Sequence, residues 1–377
     1  MRTYGPWAVF GVFWGAWGAA IPAVRDQAGV TDGQLGVALL FIGLGALPAM
    51  AYTGRLVDRW GTRVAGPLIA VFGAAGPAMI LGARGPVSLS AGLALLGAAS
   101  GAADVAINAL AAESERLTGR PVIARSHATF SASVVVGSIL TGVLLAVGAP
   151  VLVPFLVVLA GSLVARAGRR GSGRTEIVSS SPRKGLIAIG LTAALAFAVE
   201  NAHQSWSAVF LHDVLGAGPG GSAAAPAVFA AIASITRFAI GGLGGRHPGA
   251  VLVAGGAAAV AGTATVAAAA SPALALTGLA VAAAGTAVLY PTLIGAGLAH
   301  VPGAARGRAT SRVATTAYLG FLAGPVYVGF VASHGGLRGA FLAVAVLAAL
   351  FTVLAAPVVK VTGDAHIPLK SPGHDRD

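Results

Sequence analysis

Long apolar runs separated by short polar breaks dominate this chain. Apolar stretches lie at roughly 7–23, 34–54, 64–83, 87–112, 125–147, 150–166, 185–211, 223–244, 250–270, 273–298, 312–332 and 337–357. Most approach the roughly 20 residues that a helix needs to cross a bilayer core. The pattern therefore predicts an all-α membrane protein of twelve transmembrane helices. Gly and Pro punctuate many of them, as membrane helices tolerate. Small residues four apart, at Gly11 and Gly15, Gly241 and Gly245, and Gly320 and Gly324, allow helices to approach closely. One segment departs from the pattern. From Arg166 to Lys184 the chain is basic and rich in Gly and Ser, which predicts a flexible linker. It divides the chain into a six-helix half at 1–166, a linker at 167–184, a second six-helix half at 185–357 and a tail at 358–377. The halves echo one another: Trp17 precedes Gly54-Arg-Leu much as Trp206 precedes Gly241-Gly-Leu. Two pseudo-symmetric halves would place a binding site near the midplane between them.

Composition strengthens the membrane reading. Apolar residues make up 56% of the 377 and charged residues only 10%, against about 25% charged in ordinary globular domains; mean hydropathy is +0.84. So few charges cannot cover a water-facing surface of this length. A net charge of +12 would suit nucleic acid if the cations clustered on one face, but they sort by loop instead. With the N-terminus inside, 20 of the 24 Lys and Arg fall in inside segments; Arg25, Arg84 and Arg338 fall outside and Arg237 lies within a span. That asymmetry predicts cytoplasmic N- and C-termini in a cell (inner or plasma) membrane and argues against nucleic acid. The first apolar run leads into Pro-Ala-Val-Arg rather than a cleavage site, so it is expected to be the first span. There is no Cys, hence no thiolate metal site. No metal or cofactor is expected. The expected partners are a small-molecule substrate, protons and the lipid bilayer, with the chain as a monomer.

The segment joining the second and third runs reads Gly54-Arg-Leu-Val-Asp58-Arg59-Trp-Gly61-Thr-Arg63. It resembles the loop G-x-L-x-D-R-x-G-x-R of the major facilitator superfamily and matches every specified position. The second-half copy is reduced to Gly245-Arg246-His247-Pro248. The resemblance implies a secondary transporter with two six-helix halves that rock about a central site. It also implies a gating role for Gly54, Asp58, Arg59, Gly61 and Arg63, in which Asp58 pairs with the opposite half near helix 11 and locks the outward-open state. A plain topology signal is the alternative, although such a signal needs no acid.

Polar groups inside the spans are the candidate site, because an ionisable residue at membrane depth is costly and usually faces a cavity or a partner. Asp104 and Asn108 lie one turn apart on helix 4, with Asp104 about 12 Å from its expected inside end. Either they serve binding and coupling, or Asp104 is a structural acid bonded to a neighbouring helix. Glu200, His203 and Ser207 fall at i, i+3, i+7 on helix 7, with Gln204 and Trp206 beside them, and predict a cavity wall. Arg237 on helix 8 either snorkels to the interface or pairs with an acid or substrate. Trp14, Trp17, Tyr290 and Thr292 are candidates for stacking on or bonding to a substrate, and equally for interfacial belts. His127, followed by Thr129, Ser131 and Ser133, opens helix 5.

Asp104-x3-Asn108, the Glu200–Trp206 stretch, Arg237-Phe and Leu-Tyr290-Pro-Thr292 resemble a narrower group, the fucose-permease-like branch and its bacterial relatives. Those are proton-coupled sugar importers, and the match assigns coupling or binding to Asp104 and Asn108. The chain departs from that branch in lacking an acid on helix 1. It also lacks the helix 5 Gly-Pro and the helix 4 arginine of proton-driven exporters; a Gly-x3-Gly-Pro occurs instead at Gly320 to Pro325. The expected function is proton-coupled uptake of a small, polar, sugar-like solute, the alternative being proton-driven export of drug-like or metabolic compounds. A sensing protein on the same fold is a further class. Neither a P-loop nor a hydrolase or zincin motif is present to support an ATP-driven pump or an intramembrane enzyme.

Overall fold

The computed structural model describes residues 3–165, 184–299, 301 and 303–363. The chain runs as α1 (Tyr4–Ala28), α2 (Asp32–Trp60), a 3-10 turn (Gly61–Val64), α3 (Ala65–Gly82), α4 (Pro86–Thr118), α5 (Val122–Ala146), α6 (Leu152–Val164), α7 (Lys184–Asp213), α8 (Pro219–Arg246), α9 (Pro248–Ala268), α10 (Pro272–Gly297) and α11 (Gly303–Gly363). α11 breaks at Gly336, where φ is 69°, so it has two arms. Counting the arms separately is compatible with the twelve expected helices. No strand occurs among the described residues. The predicted linker at 167–184, apart from Lys184 at the start of α7, and most of the tail lie outside them.

Local chemistry sets the helix ends. Thr31 and Gln34 form a reciprocal capping box at the start of α2. Proline opens α4, α8, α9 and α10, where its missing N–H costs nothing. Gly29 and Gly119, both at positive φ, close α1 and α4. One boundary differs from expectation in a way that matters. α2 continues as helix through Gly54 and Asp58 to Trp60, and only Gly61–Val64 forms the turn. The apolar run ends near Thr53, but hydrogen bonding carries the helix on beyond it. α4 likewise runs past 112 to Thr118, which leaves Asp104 14 residues (about 21 Å at the helical rise) from that helix end.

Glycines weld the helices in matching pairs. Cα positions of Gly11 and Gly15 on α1 face the α5 backbone at Phe130 and Val134, while Gly137 of α5 faces Val12. Gly320 and Gly324 on α11 face Ala194 and Ala198 of α7 in the same manner. α2 meets α4 at Gly45, Gly97 and Gly101, and α9 meets α10 at Gly262, Gly278 and Gly285. Any side chain at these positions would collide with backbone, so small residues set the spacing. Of the three predicted small-residue pairs, Gly245 is the exception and faces open space.

Contacts between the first six helices and the rest are concentrated at one end of the bundle, the end opposite Gly54–Arg63. There Gly33 packs against Ser333, Gly36 against Gly329, and Gly142 against Gly220 and Ala223. Arg25 at the end of α1 binds Asp213 at the end of α7, with Nη2 2.9 Å from Oδ1 and Nη1 against Oδ2. The same guanidinium also reaches Asp26 at 3.1 Å and Asp32 at 3.0 Å.

Candidate functional site

A cavity of about 310 Å³ lies between the two sets of helices. It is continuous, through shared lining residues, with a second chamber of about 600 Å³ that includes Ala124 and His127 of α5 and Phe238 of α8. These residues belong to the end bearing Gly54–Arg63, so the cavity opens there and is shut at the Arg25–Asp213 end. Its volume suits a small molecule.

Asp104 of α4 lines the inner chamber together with Ser100, Trp14 and Trp17. Its carboxylate accepts a hydrogen bond from Asn108 Nδ2 at 3.1 Å, and the same amide donates to the Asp104 carbonyl at 2.9 Å. Asn108 lines neither chamber; it orients the acid. Among the described residues no group on another helix bonds Asp104, which leaves the structural alternative without a partner helix.

On the facing side, Glu200 of α7 pairs with Arg237 of α8 at 3.1 Å. Gln204 Nε2 donates to the same Glu200 oxygen at 3.2 Å, and Arg237 Nε donates to the Ala287 carbonyl of α10 at 3.2 Å. Arg237 is therefore a paired cavity residue. Tyr290 lines the second chamber and stacks on Phe197 with centroids 4.4 Å apart. His127 is exposed in the same chamber and lies against Trp7 at 4.7 Å.

The expected cavity face of α7 needs correction. His203, Trp206 and Ser207 do not line either chamber. His203 is 1% exposed and Trp206 0%. His203 lies 2.7 Å from the Val199 carbonyl and 3.0 Å from Thr263 of α9, between Phe229 and Phe341. The helical repeat accounts for this division. Residues at i, i+3, i+4, i+7 and i+8 share one face of a helix. Counted from Phe197, that spacing gives Glu200, Asn201, Gln204 and Ser205, and all five line the cavity. Counted from Val199, it gives Ala202, His203, Trp206 and Ser207, and all five are buried. Glu200 and His203 stand near the border between the two stripes, so a reading anchored on that pair straddles both. The same repeat, started at Phe197, could have identified Asn201 and Ser205. Asn201 also donates to the Phe321 carbonyl of α11 at 2.7 Å. Tyr318 and Phe321 of α11 and Ser234 of α8 complete the wall; Ser234 lies three residues before Arg237, a spacing on one helix face that could have identified it.

The Gly54–Arg63 segment lies away from the cavity. Gly61 takes φ 67° at the end of α2, Arg63 Nε donates to the Trp60 carbonyl at 2.6 Å, and Arg59 lies over the Trp60 ring at 5.3 Å. Asp58 is exposed and makes no hydrogen bond or ion pair among the described residues.

A bundle of long apolar helices, closed at one end around a largely apolar central cavity that holds a few charged side chains and is open at the other, is the architecture of a multi-pass membrane transporter for small molecules. The model of the Major Facilitator Superfamily matches residues 7–302 and 189–373, and the chain belongs to that family. It is 32% identical over 364 residues to an uncharacterised transporter, y4wD, of Sinorhizobium fredii, covering 93% of this chain and 95% of that one. An uncharacterised MFS-type transporter of Yersinia pestis is 31% identical, with 92% of each chain covered. Among solved structures, a bacterial homologue of the human lysosomal transporter Spinster superposes with a TM-score of 0.78 at 14% identity, covering 99% of this chain and 98% of that one. A D-xylose-proton symporter superposes with a TM-score of 0.70 at 14% identity, with 95% and 98% covered. These likenesses establish the fold. The family and the relatives are transporters, not enzymes.

Proposed function

We propose that this chain is a secondary active transporter that takes up a small, polar, sugar-like solute together with protons, by alternating access. The observation that carries the reading is Asp104: an acid deep in a cavity between the two halves, with no cation bonded to it among the described residues. A carboxylate in that position gains a proton on one side and loses it on the other, and the membrane potential contributes roughly 2.3 kcal/mol per charge per 100 mV. Hydrogen-bonding groups on both walls, from Ser100 and Ser131 to Asn201, Gln204 and Ser234, suit hydroxyls, and Trp14 and Trp17 suit the apolar faces of a sugar ring. The xylose-proton symporter on the same fold is in keeping with this. We place the Gly54–Arg63 end and both termini in the cytoplasm, the chain being a monomer in the cell membrane. The described conformation is then inward-open, and the unpaired Asp58 agrees with a lock that acts only in the outward-open state.

The aromatic lining (Phe10, Phe130, Phe229 and Phe321 besides the tryptophans) supports a second reading, export of amphipathic compounds against protons. Proteoliposomes enclosing a pH-sensitive dye separate the two. Acidification of the interior on adding a sugar outside establishes uptake. A response confined to amphipathic cations, with protons moving the opposite way, establishes export and removes the sugar reading.

A further inference from the structure

Arg237 is the only Arg or Lys lining either chamber among the described residues. Its side chain is 46% exposed, far more open than a structural arginine needs to be. Nε is spent on the Ala287 carbonyl and one Nη2 hydrogen on Glu200, which fixes the plane of the guanidinium. Among the described residues, that leaves three of its five N–H groups, including both on Nη1, with no acceptor. A held guanidinium with a free edge is the geometry that takes a carboxylate in two parallel bonds.

We propose that Arg237 is an anion subsite, and that the transported solute is a polyhydroxylated carboxylate such as a sugar acid. This rests on the polar-solute reading above and narrows it. The second half of the inference concerns Glu200. Its Oε1 holds both Arg237 and Gln204, and the side chain is 17% exposed to the cavity. A substrate carboxylate on Arg237 competes with Glu200 for the same charge. Binding at Arg237 therefore loosens its contact with Glu200 and couples the cavity to the pairing of α7 with α8.

The test uses purified full-length protein, with thermal shift and tryptophan fluorescence as binding readouts, since Trp14 and Trp17 line the cavity. The probes are D-gluconate, D-glucuronate and D-galacturonate against D-glucose, D-galactose and D-glucitol. The acids are expected to bind at least tenfold more tightly than their neutral counterparts. Arg237→Gln should erase that preference, and Arg237→Lys should restore part of it. In Glu200→Gln, which removes the competing charge, acid binding should tighten rather than weaken. Neutral sugars that bind equally well, with affinities unaffected by Arg237→Gln, overturn the anion subsite and leave sugar uptake standing. Acids that bind through Arg237 while protons move against them uphold the subsite and overturn uptake. No binding by any of the three acids overturns the proposal.

Discussion

Replacing Asp213 by Asn should shift the protein toward its other conformation. Asp213 and Arg25 belong to opposite halves and meet at the closed end through two side-by-side contacts. Both side chains are largely shielded, 13% exposed for Arg25 and 25% for Asp213. A hydrogen bond to a charged partner contributes about 1.5–3 kcal/mol. Asparagine keeps one oxygen for a weaker bond, and Asp26 and Asp32 still neutralise Arg25. The net loss is then about 1–2 kcal/mol, which multiplies the population open at that end by roughly 5–30. The chain has no Cys, so a single Ala223→Cys reports cleanly. Ala223 is buried against Gly142 between the halves at the closed end. Its labelling by a maleimide should accelerate by roughly that factor when Asp213→Asn is added. Asp26→Asn, which leaves the contact between halves intact, should change the rate less than twofold. If the Asp213→Asn background labels no faster than its parent, the contact does not hold that end shut and the estimate has no basis.

Three further outcomes are expected. Asp104→Asn should abolish accumulation of substrate yet retain counterflow exchange; a variant that still concentrates substrate removes Asp104 from coupling. Asp58→Ala should slow transport several-fold at unchanged expression and substrate preference, measured as initial uptake rates in vesicles, whereas wild-type rates would reduce the segment to a topology signal. Gly320→Ala should lower the melting temperature in detergent, by about 1–3 kcal/mol of stability, because the added methyl meets the Ala194 carbonyl of α7; the same change at Gly335, which faces open space, should be far milder.

The sequence displays single helices well and contacts between helices poorly. Hydropathy locates each span because lipid imposes one rule on every residue of it. The family loop is legible because its spacing is local. Asp104 stands out because an acid within an apolar run is rare. Arg237 and Glu200 were each conspicuous for the same reason, but their pairing spans 37 residues and depends on how α7 and α8 are rotated. The α7 stripe shows the limit. Two faces of that helix carry polar residues, one wet and one buried against α9, and periodicity admits either. His203 is satisfied by Val199 and Thr263, so a polar residue on the inner face served packing within its own half. Arg25 read as an exception to the charge asymmetry; it closes one end through a residue 188 positions away.

Glycine contacts hold each half together. Within a half, glycines such as Gly15 against Val134 and Gly320 against Ala194 meet backbone directly, and these contacts cannot slide without collision. Between halves, α2 and α11 also approach closely: Gly36 meets the backbone at Pro325 and Gly329, and Leu322 seats against Gly43. Parting the halves there separates these contacts together with the ion pair of Arg25 and Asp213. A rigid interior in each half favours motion of whole halves over bending of single helices. The polar residues follow the same division. Among the described residues, Asp104 on the first half is bonded only by Asn108 of its own helix, while Glu200 and Arg237 are paired on the second. Parting the halves about this cavity therefore changes the surroundings of Asp104 and leaves the internal pair of the other half intact, unless a ligand competes for it.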